Sequence, residues 1–161
     1  MGKKPLASVG AIAAPMQELM PLIEERLLAG QCVRIYPRGV SMRPLIREGK
    51  DSVTLSAVQR KLTKNDIVLF RVGEQYVLHR FVGVRRGGYV FCGDHRYAYE
   101  SGITPENVVA LVTAIQRNGK DVRMDSLVYR VYVRLIFGRR RLRQLILRVM
   151  RKLQRIFCRQ K

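Results

Sequence analysis

The sequence predicts a mainly β domain with one leading helix and amphipathic helices at its C-terminal end. Three observations predict it. Short β-prone runs separated by tight turns fill the stretch from Val33 to Ile115. Apolar residues recur at helical spacing before Gly30, and again after Asp125. With 161 residues, 47% of them hydrophobic, the chain is long enough for one packed domain and an appended helical segment.

The organisation expected in chain order is a flexible arm over residues 1–14, a domain with its leading helix over 15–125, and a basic helical tail over 126–161. The arm begins with Lys3-Lys4 and a small-residue apolar stretch that stops at Pro15. Gln17 and Glu18 follow at once, which argues against a cleaved signal segment. Met16, Leu19, Met20, Ile23, Leu27 and Leu28 form a helical stripe, started by Pro15 and ended by Gly30.

The strand readings follow. Val33-Arg34-Ile35-Tyr36 alternates, Ser52 to Leu55 is β-prone, and Ile67 to Phe70 is a continuous apolar run. A turn at Gly73 leads to Tyr76-Val77-Leu78, His79-Arg80 and Phe81 to Val84. Gly87-Gly88 opens a hairpin into Tyr89-Val90-Phe91. Val108 to Ile115 is a last long strand, and Asn118-Gly119 a further hairpin turn.

Charge is strongly asymmetric. The formal net charge is +19, and from Ser126 onward twelve Arg and Lys residues occur without a single acid. In that tail Val128, Val131, Tyr132, Leu135 and Ile136 form one apolar stripe. Leu142, Leu145, Ile146, Val149, Leu153 and Phe157 continue at helical spacing, with Arg143, Arg148 and Lys152 between them. A wide apolar face backed by cations fits an anionic membrane surface better than nucleic acid, which needs no apolar stripe. No apolar run reaches the roughly 18–20 residues that span a bilayer. The expected location is the cytoplasm or the cytoplasmic membrane face. Cys32, Cys92 and Cys158 are far apart, which gives no zinc spacing and suits a reducing compartment. No metal or organic cofactor is expected.

Residues 39–49 read Gly-Val-Ser-Met-Arg-Pro-Leu-Ile-Arg-Glu-Gly. Glycine two positions before a serine permits a tight turn that presents a hydroxyl and backbone N–H groups. Alone, a serine between Gly and Pro is usually a turn residue. A serine nucleophile needs a base, and the chain holds two histidines, His79 and His95. By pattern alone His79 reads as a strand histidine and His95 as a solvated loop residue.

Five segments stand in one order: GVSMRPLIREG, KNDIVLFR from Lys64, YVLHRF from Tyr76, FCGDHR from Phe91 and TPENVVALVTAI from Thr104. That order resembles the signal peptidase I superfamily, which includes LexA-type self-cleaving proteins, over roughly residues 33–116. The resemblance implies a signal-peptidase-like (LexA-like) β domain and a serine peptidase acting on a peptide or protein substrate. It implies Ser41 as nucleophile in a turn made by Gly39, Ser41 and Met42, with the Ser41 N–H in the oxyanion hole. Gly39 offers no side-chain donor there, unlike some relatives. His79 stands where the bacterial enzymes carry a Lys base, as in the branch that uses His. An imidazole needs less perturbation to be neutral near pH 7, its ordinary pKa being about 6.5 against about 10.4 for Lys.

The resemblance leaves two carboxylates for the role of orienting His79. Glu100 falls where the His-type branch carries its triad aspartate. Asp94 fills the family's Gly-Asp position and either orients His79 or forms a structural pair with Arg80 and Arg96. Departures from the family are Gly49-Lys50-Asp51 and Asn65-Asp66 in two loops, and the lack of an N-terminal membrane anchor. Two rival functions remain open. One is self-cleavage in the LexA manner, for which Ala29-Gly30 has suitable residue types. The other is a non-catalytic adaptor at the membrane surface.

Overall fold

The computed structural model describes residues 6–8, 16–122, 124 and 126–139. In chain order its elements are β1 (Leu6–Ser8), α1 (Met16–Leu28), β2 (Cys32–Ile35), β3 (Ser52–Ser56), β4 (Ile67–Val72), β5 (Gln75–Arg85), β6 (Gly88–Cys92), β7 (Glu100–Ile103), β8 (Val108–Arg117) and β9 (Lys120–Val122). A 3-10 turn over Pro105–Asn107 precedes β8, and residues 127–139 form a second helix, α2. The chain separates into two compact units, Met1–Arg123 and Met124–Lys161.

The protein is mainly β. Its strands form one sheet in the order β1-β2-β3-β8-β4-β5-β6-β7, with β9 on β8. Every pairing is antiparallel except β1 with β2. Registers shift at Thr54/Leu55, Leu69/Phe70, Phe81/Gly83 and Tyr89/Val90. Each such irregularity adds local twist. Strand β4 is buried on both faces over Ile67–Phe70, which explains why its sequence reads as an unbroken apolar run rather than an alternation.

Three differences from the sequence reading have physical reasons. The expected loose arm contains β1, whose Leu6, Ala7 and Ser8 pair with Cys32, Val33 and Arg34 and cover an otherwise open edge of β2. Strand β7 carries no alternating pattern because three of its four residues, Glu100, Ser101 and Gly102, are not apolar; pairing with β6 makes it a strand. In α1, among the residues whose side chains are described, only Met20, Ile23 and Leu27 are deeply buried, while Leu28 is 88% exposed beside the cap. That cap is a Schellman motif. Gly30 lies at φ 73°, its N–H donates to Leu27 O, and the Gln31 N–H donates to Arg26 O.

The core beside His79 is aromatic. Val68, Phe70, Phe81, Phe91, Ile103 and Leu111 form one buried cluster. Phe70 stacks on Phe91 with centroids 4.2 Å apart, and Phe81 meets Tyr89 edge-on at 5.3 Å. His79 borders this cluster, its ring 6.2 Å from that of Phe70.

Helix α2 carries two apolar arcs instead of the single expected stripe. Tyr129, Val133 and Ile136 are buried, whereas Leu127, Val128, Val131 and Leu135 are exposed. Residues 140–161 lie outside the described residues. They include every apolar and basic position singled out from Leu142 to Phe157, and Cys158.

Candidate active site

Two loops and two strands, β5 and β7, converge on the candidate site. The first loop begins after β2 and holds Gly39 at φ 93°, a backbone conformation that side chains other than glycine rarely adopt. Ser41 follows, half-buried, and the turn closes with the Arg43 N–H on Val40 O and the Ile46 N–H on Met42 O. Met42, Leu45 and Ile46 are buried anchors, so the hydroxyl-bearing residue rides on a fixed turn. Asp51 closes the far end. It is fully buried and accepts from Arg47 N, Nε and Nη2 at 2.8, 2.9 and 2.7 Å. Those bonds hold its carboxyl below the ordinary range.

Strand β5 supplies His79 and Arg80. Adjacent strand residues point to opposite faces, so the two side chains meet different partners. The Arg80 side chain is fully buried, and it donates through Nε to Asp94 Oδ1 at 2.8 Å and through Nη2 to Asp94 Oδ2 at 2.7 Å. Its Nη1 donates to Asn65 O at 2.9 Å. This forked pair fixes the loop after β6.

His79 Nδ1 is hydrogen-bonded to Glu100 Oε2. The register explains the meeting across 21 residues of chain. Phe81 pairs with Phe91, and Phe91 with Glu100; His79 stands two residues before Phe81 on the same face of β5. Of the two carboxylates left open by the sequence, Glu100 therefore contacts the imidazole and Asp94 binds Arg80. The side chain of Arg96 is exposed.

Burial is the largest influence on His79 and lowers its pKa; the contact with Glu100 raises it, and the Arg96 cation lowers it again. The net direction is down, so the ring is neutral at pH 7 and its Nε2 is free to accept a proton.

Gly93 brings the serine loop and the imidazole together. A Cβ placed on it would lie 2.7 Å from Ser41 O, 2.8 Å from His79 Nε2 and 3.0 Å from His79 Cδ2. The Ser41 backbone and the basic nitrogen of His79 thus border one point, which only a residue without a side chain leaves clear. Next to it the His95 N–H donates to Ser41 O at 2.8 Å, tying the two loops together. Among the described residues the Ser41 N–H has no acceptor.

Two contributors escape sequence reasoning. Gly93 reads as an ordinary turn glycine, and its role depends on what lies opposite. Cys92 has no zinc-site spacing in the sequence, but its Sγ lies 3.2, 3.5 and 3.6 Å from the carbonyl oxygens of Ala98, Arg96 and Gly93. It braces the loop that runs from Gly93 to Glu100.

Neither the family models nor the curated proteins compared with this chain match it.

Proposed function

We propose that this protein is a serine endopeptidase of the signal-peptidase type, with Ser41 as nucleophile, His79 as general base and Glu100 as the group that orients it. The observation that carries this reading is the point at Gly93, bordered by the Ser41 carbonyl oxygen and by His79 Nε2, while Nδ1 of the same ring is held by Glu100. The order of motifs resembling the signal peptidase and LexA superfamily supports the same assignment, as does the mainly antiparallel sheet.

The chemistry follows from these positions. Ser41 Oγ attacks the carbonyl carbon of a peptide held in extended form, and His79 Nε2 takes the hydroxyl proton. The positive ring that results is stabilised by Glu100 through Nδ1. The Ser41 N–H is the donor available to the oxyanion. His79 then gives its proton to the leaving amine, and an ester on Ser41 remains. Water attacks that ester with His79 again acting as base, and Ser41 is restored.

The rival of self-cleavage at Ala29-Gly30 has less support, because that pair is wound into the helix cap and is not an extended segment. The test is mass spectrometry of peptides incubated with wild type and with Ser41→Ala. Cleavage by the wild type alone is expected. Equal turnover by a folded Ser41→Ala variant would end the reading, and no cleavage by either protein would leave a binding adaptor.

The tail is proposed to rest on anionic membrane surfaces. No described helix is long and apolar enough to cross a membrane. The favouring observation is that Leu127, Val128, Val131 and Leu135 are all exposed and, at 3.6 residues per turn, fall on one arc of about 100°. Arg130 and Arg134 border that arc on one side and Arg139 on the other, as in helices that lie in a lipid interface. Vesicle sedimentation should show binding that rises with anionic lipid and falls with salt. Val131→Glu with Leu135→Glu should weaken it while every cation remains.

A further inference from the structure

We infer that the segment bound at this site is an extended peptide carrying Asp or Glu beside the bond to be cut. This inference rests on the peptidase reading and names its substrate class.

The argument begins with the loop from Gly93 to Glu100. Its first residue touches Ser41 and His79, and its last is bonded to His79, so both ends are pinned at the base. The middle of the loop stands beside the nucleophile, since the His95 N–H holds Ser41 O. Arg96 follows His95 and is exposed, and its charge reaches the His79 ring. On the facing loop Arg38 and Arg43 are exposed, three residues before Ser41 and two after it.

Among the described residues none of these three arginines has a carboxylate partner. Asp94 and Asp51 are neutralised by Arg80 and Arg47, whereas Glu100 faces an uncharged ring and Glu48 on the serine loop is exposed. The three guanidinium groups still outnumber these two carboxylates. Guanidinium groups suit carboxylates in particular, because the planar fork matches both oxygens. Tyr36, Tyr97 and Tyr99 are exposed on the same two loops, and such rings supply contact area at low entropic cost. Guanidinium groups without a carboxylate partner, together with tyrosines, on either side of a candidate nucleophile fit an acidic extended segment.

The experiment uses the full chain and two peptide pools, identical except that the positions flanking a variable core are Asp/Glu in one and Asn/Gln in the other. Wild type should cut the acidic pool with a kcat/KM about tenfold higher, the size expected from a charge-assisted hydrogen bond or two, and the gain should shrink with salt. Arg38→Gln/Arg43→Gln/Arg96→Gln should bring the acidic pool down to the rate of the neutral one. Arg71→Gln/Arg85→Gln/Arg86→Gln removes the same number of exposed cations elsewhere and should keep the preference. Equal cutting of both pools by wild type would overturn the inference and leave the peptidase reading intact, as would loss of preference in the control triple variant. If neither pool were cut, the peptidase reading would fail. Binding of labelled acidic and neutral peptides to Ser41→Ala would then decide the inference: tighter acidic binding, lost with the three site arginines, keeps it, and equal binding ends it. Displacement of the acidic peptide by an oligonucleotide of equal charge at the same concentration would reassign the surface to nucleic acid and overturn it.

Discussion

Neighbouring residues of one strand make two carboxylate pairs of opposite character. Arg80 and Asp94 are sealed: both side chains are 0% exposed, and two bonds join them in parallel. His79 and Glu100 are open on one side, with the imidazole 3% and the carboxylate 32% exposed. A sealed pair of opposite charges, joined by two parallel bonds, serves as a brace. A pair made from a neutral ring and a partly solvated carboxylate changes charge readily and can assist chemistry. The lesson is that the alternation of β5 separates framework from the proposed chemistry, one residue to each face.

The largest expected effect strikes the open pair. His79→Ala should lower peptide turnover by roughly 10⁴- to 10⁶-fold, and Glu100→Gln by roughly 10³- to 10⁴-fold, the range known for serine triads. Melting temperature should move little in Glu100→Gln, because the carboxylate is partly solvated. A large stability loss with normal turnover in Glu100→Gln would break the contrast between the pairs.

The sealed pair should respond in the opposite currency. Asp94→Ala leaves the Arg80 guanidinium buried without its counter-charge, a change expected to destabilise by about 3–5 kcal/mol. Denaturant unfolding reads this directly, and loss of activity should track loss of fold. An Asp94→Ala protein of wild-type stability with no turnover would move Asp94 into the catalytic role.

Gly93→Ala tests the point where the two regions touch. The added methyl must displace Ser41 O or the His79 ring, an overpacking expected to be destabilising by about 1–3 kcal/mol. Turnover should fall further than stability, because the His79 ring is the proposed base and the Ser41 carbonyl belongs to the residue that carries the proposed nucleophile. The comparison sharpens if Gly93→Ala alters the titration of His79 by NMR while leaving the amide resonances of Asp94 in place.

The smallest effect is one of pH. Burial lowers the His79 pKa, so the base stays neutral below the ordinary value of about 6.5. The acid limb of kcat/KM should therefore lie below that value. Glu100 raises the His79 pKa, so Glu100→Gln should shift the limb to still lower pH. The folded state also resists protonating this ring, so the contribution of His79 to stability is full above its unfolded pKa and declines as pH falls through it. A limb above pH 6.5 would mean the ring is better solvated than its 3% exposure implies.

Much of this protein follows from its sequence alone. Helix α1 is capped at Gly30, and the hairpins turn at Asn118-Gly119 and at Arg86-Gly87, one residue before the expected Gly87-Gly88, because left-handed backbone is local chemistry: Gly30, Arg86, Gly87, Asn118 and Gly119 all have positive φ. The runs that become β2 to β6 and β8 are legible because burial imprints a period on neighbours in the chain. Ser41 and His79 stand out because the motif order singles them out. Only the tertiary structure decided between Glu100 and Asp94, since the choice depends on the β5–β6–β7 register and on which face of β5 each partner meets. Gly93 became meaningful only when Ser41 O and His79 Nε2 were found against it. Strands β1 and β7 likewise form by pairing with a neighbour rather than by a pattern of their own. Periodicity records which face of an element is buried, whereas a site is set by distances between elements that the chain keeps far apart.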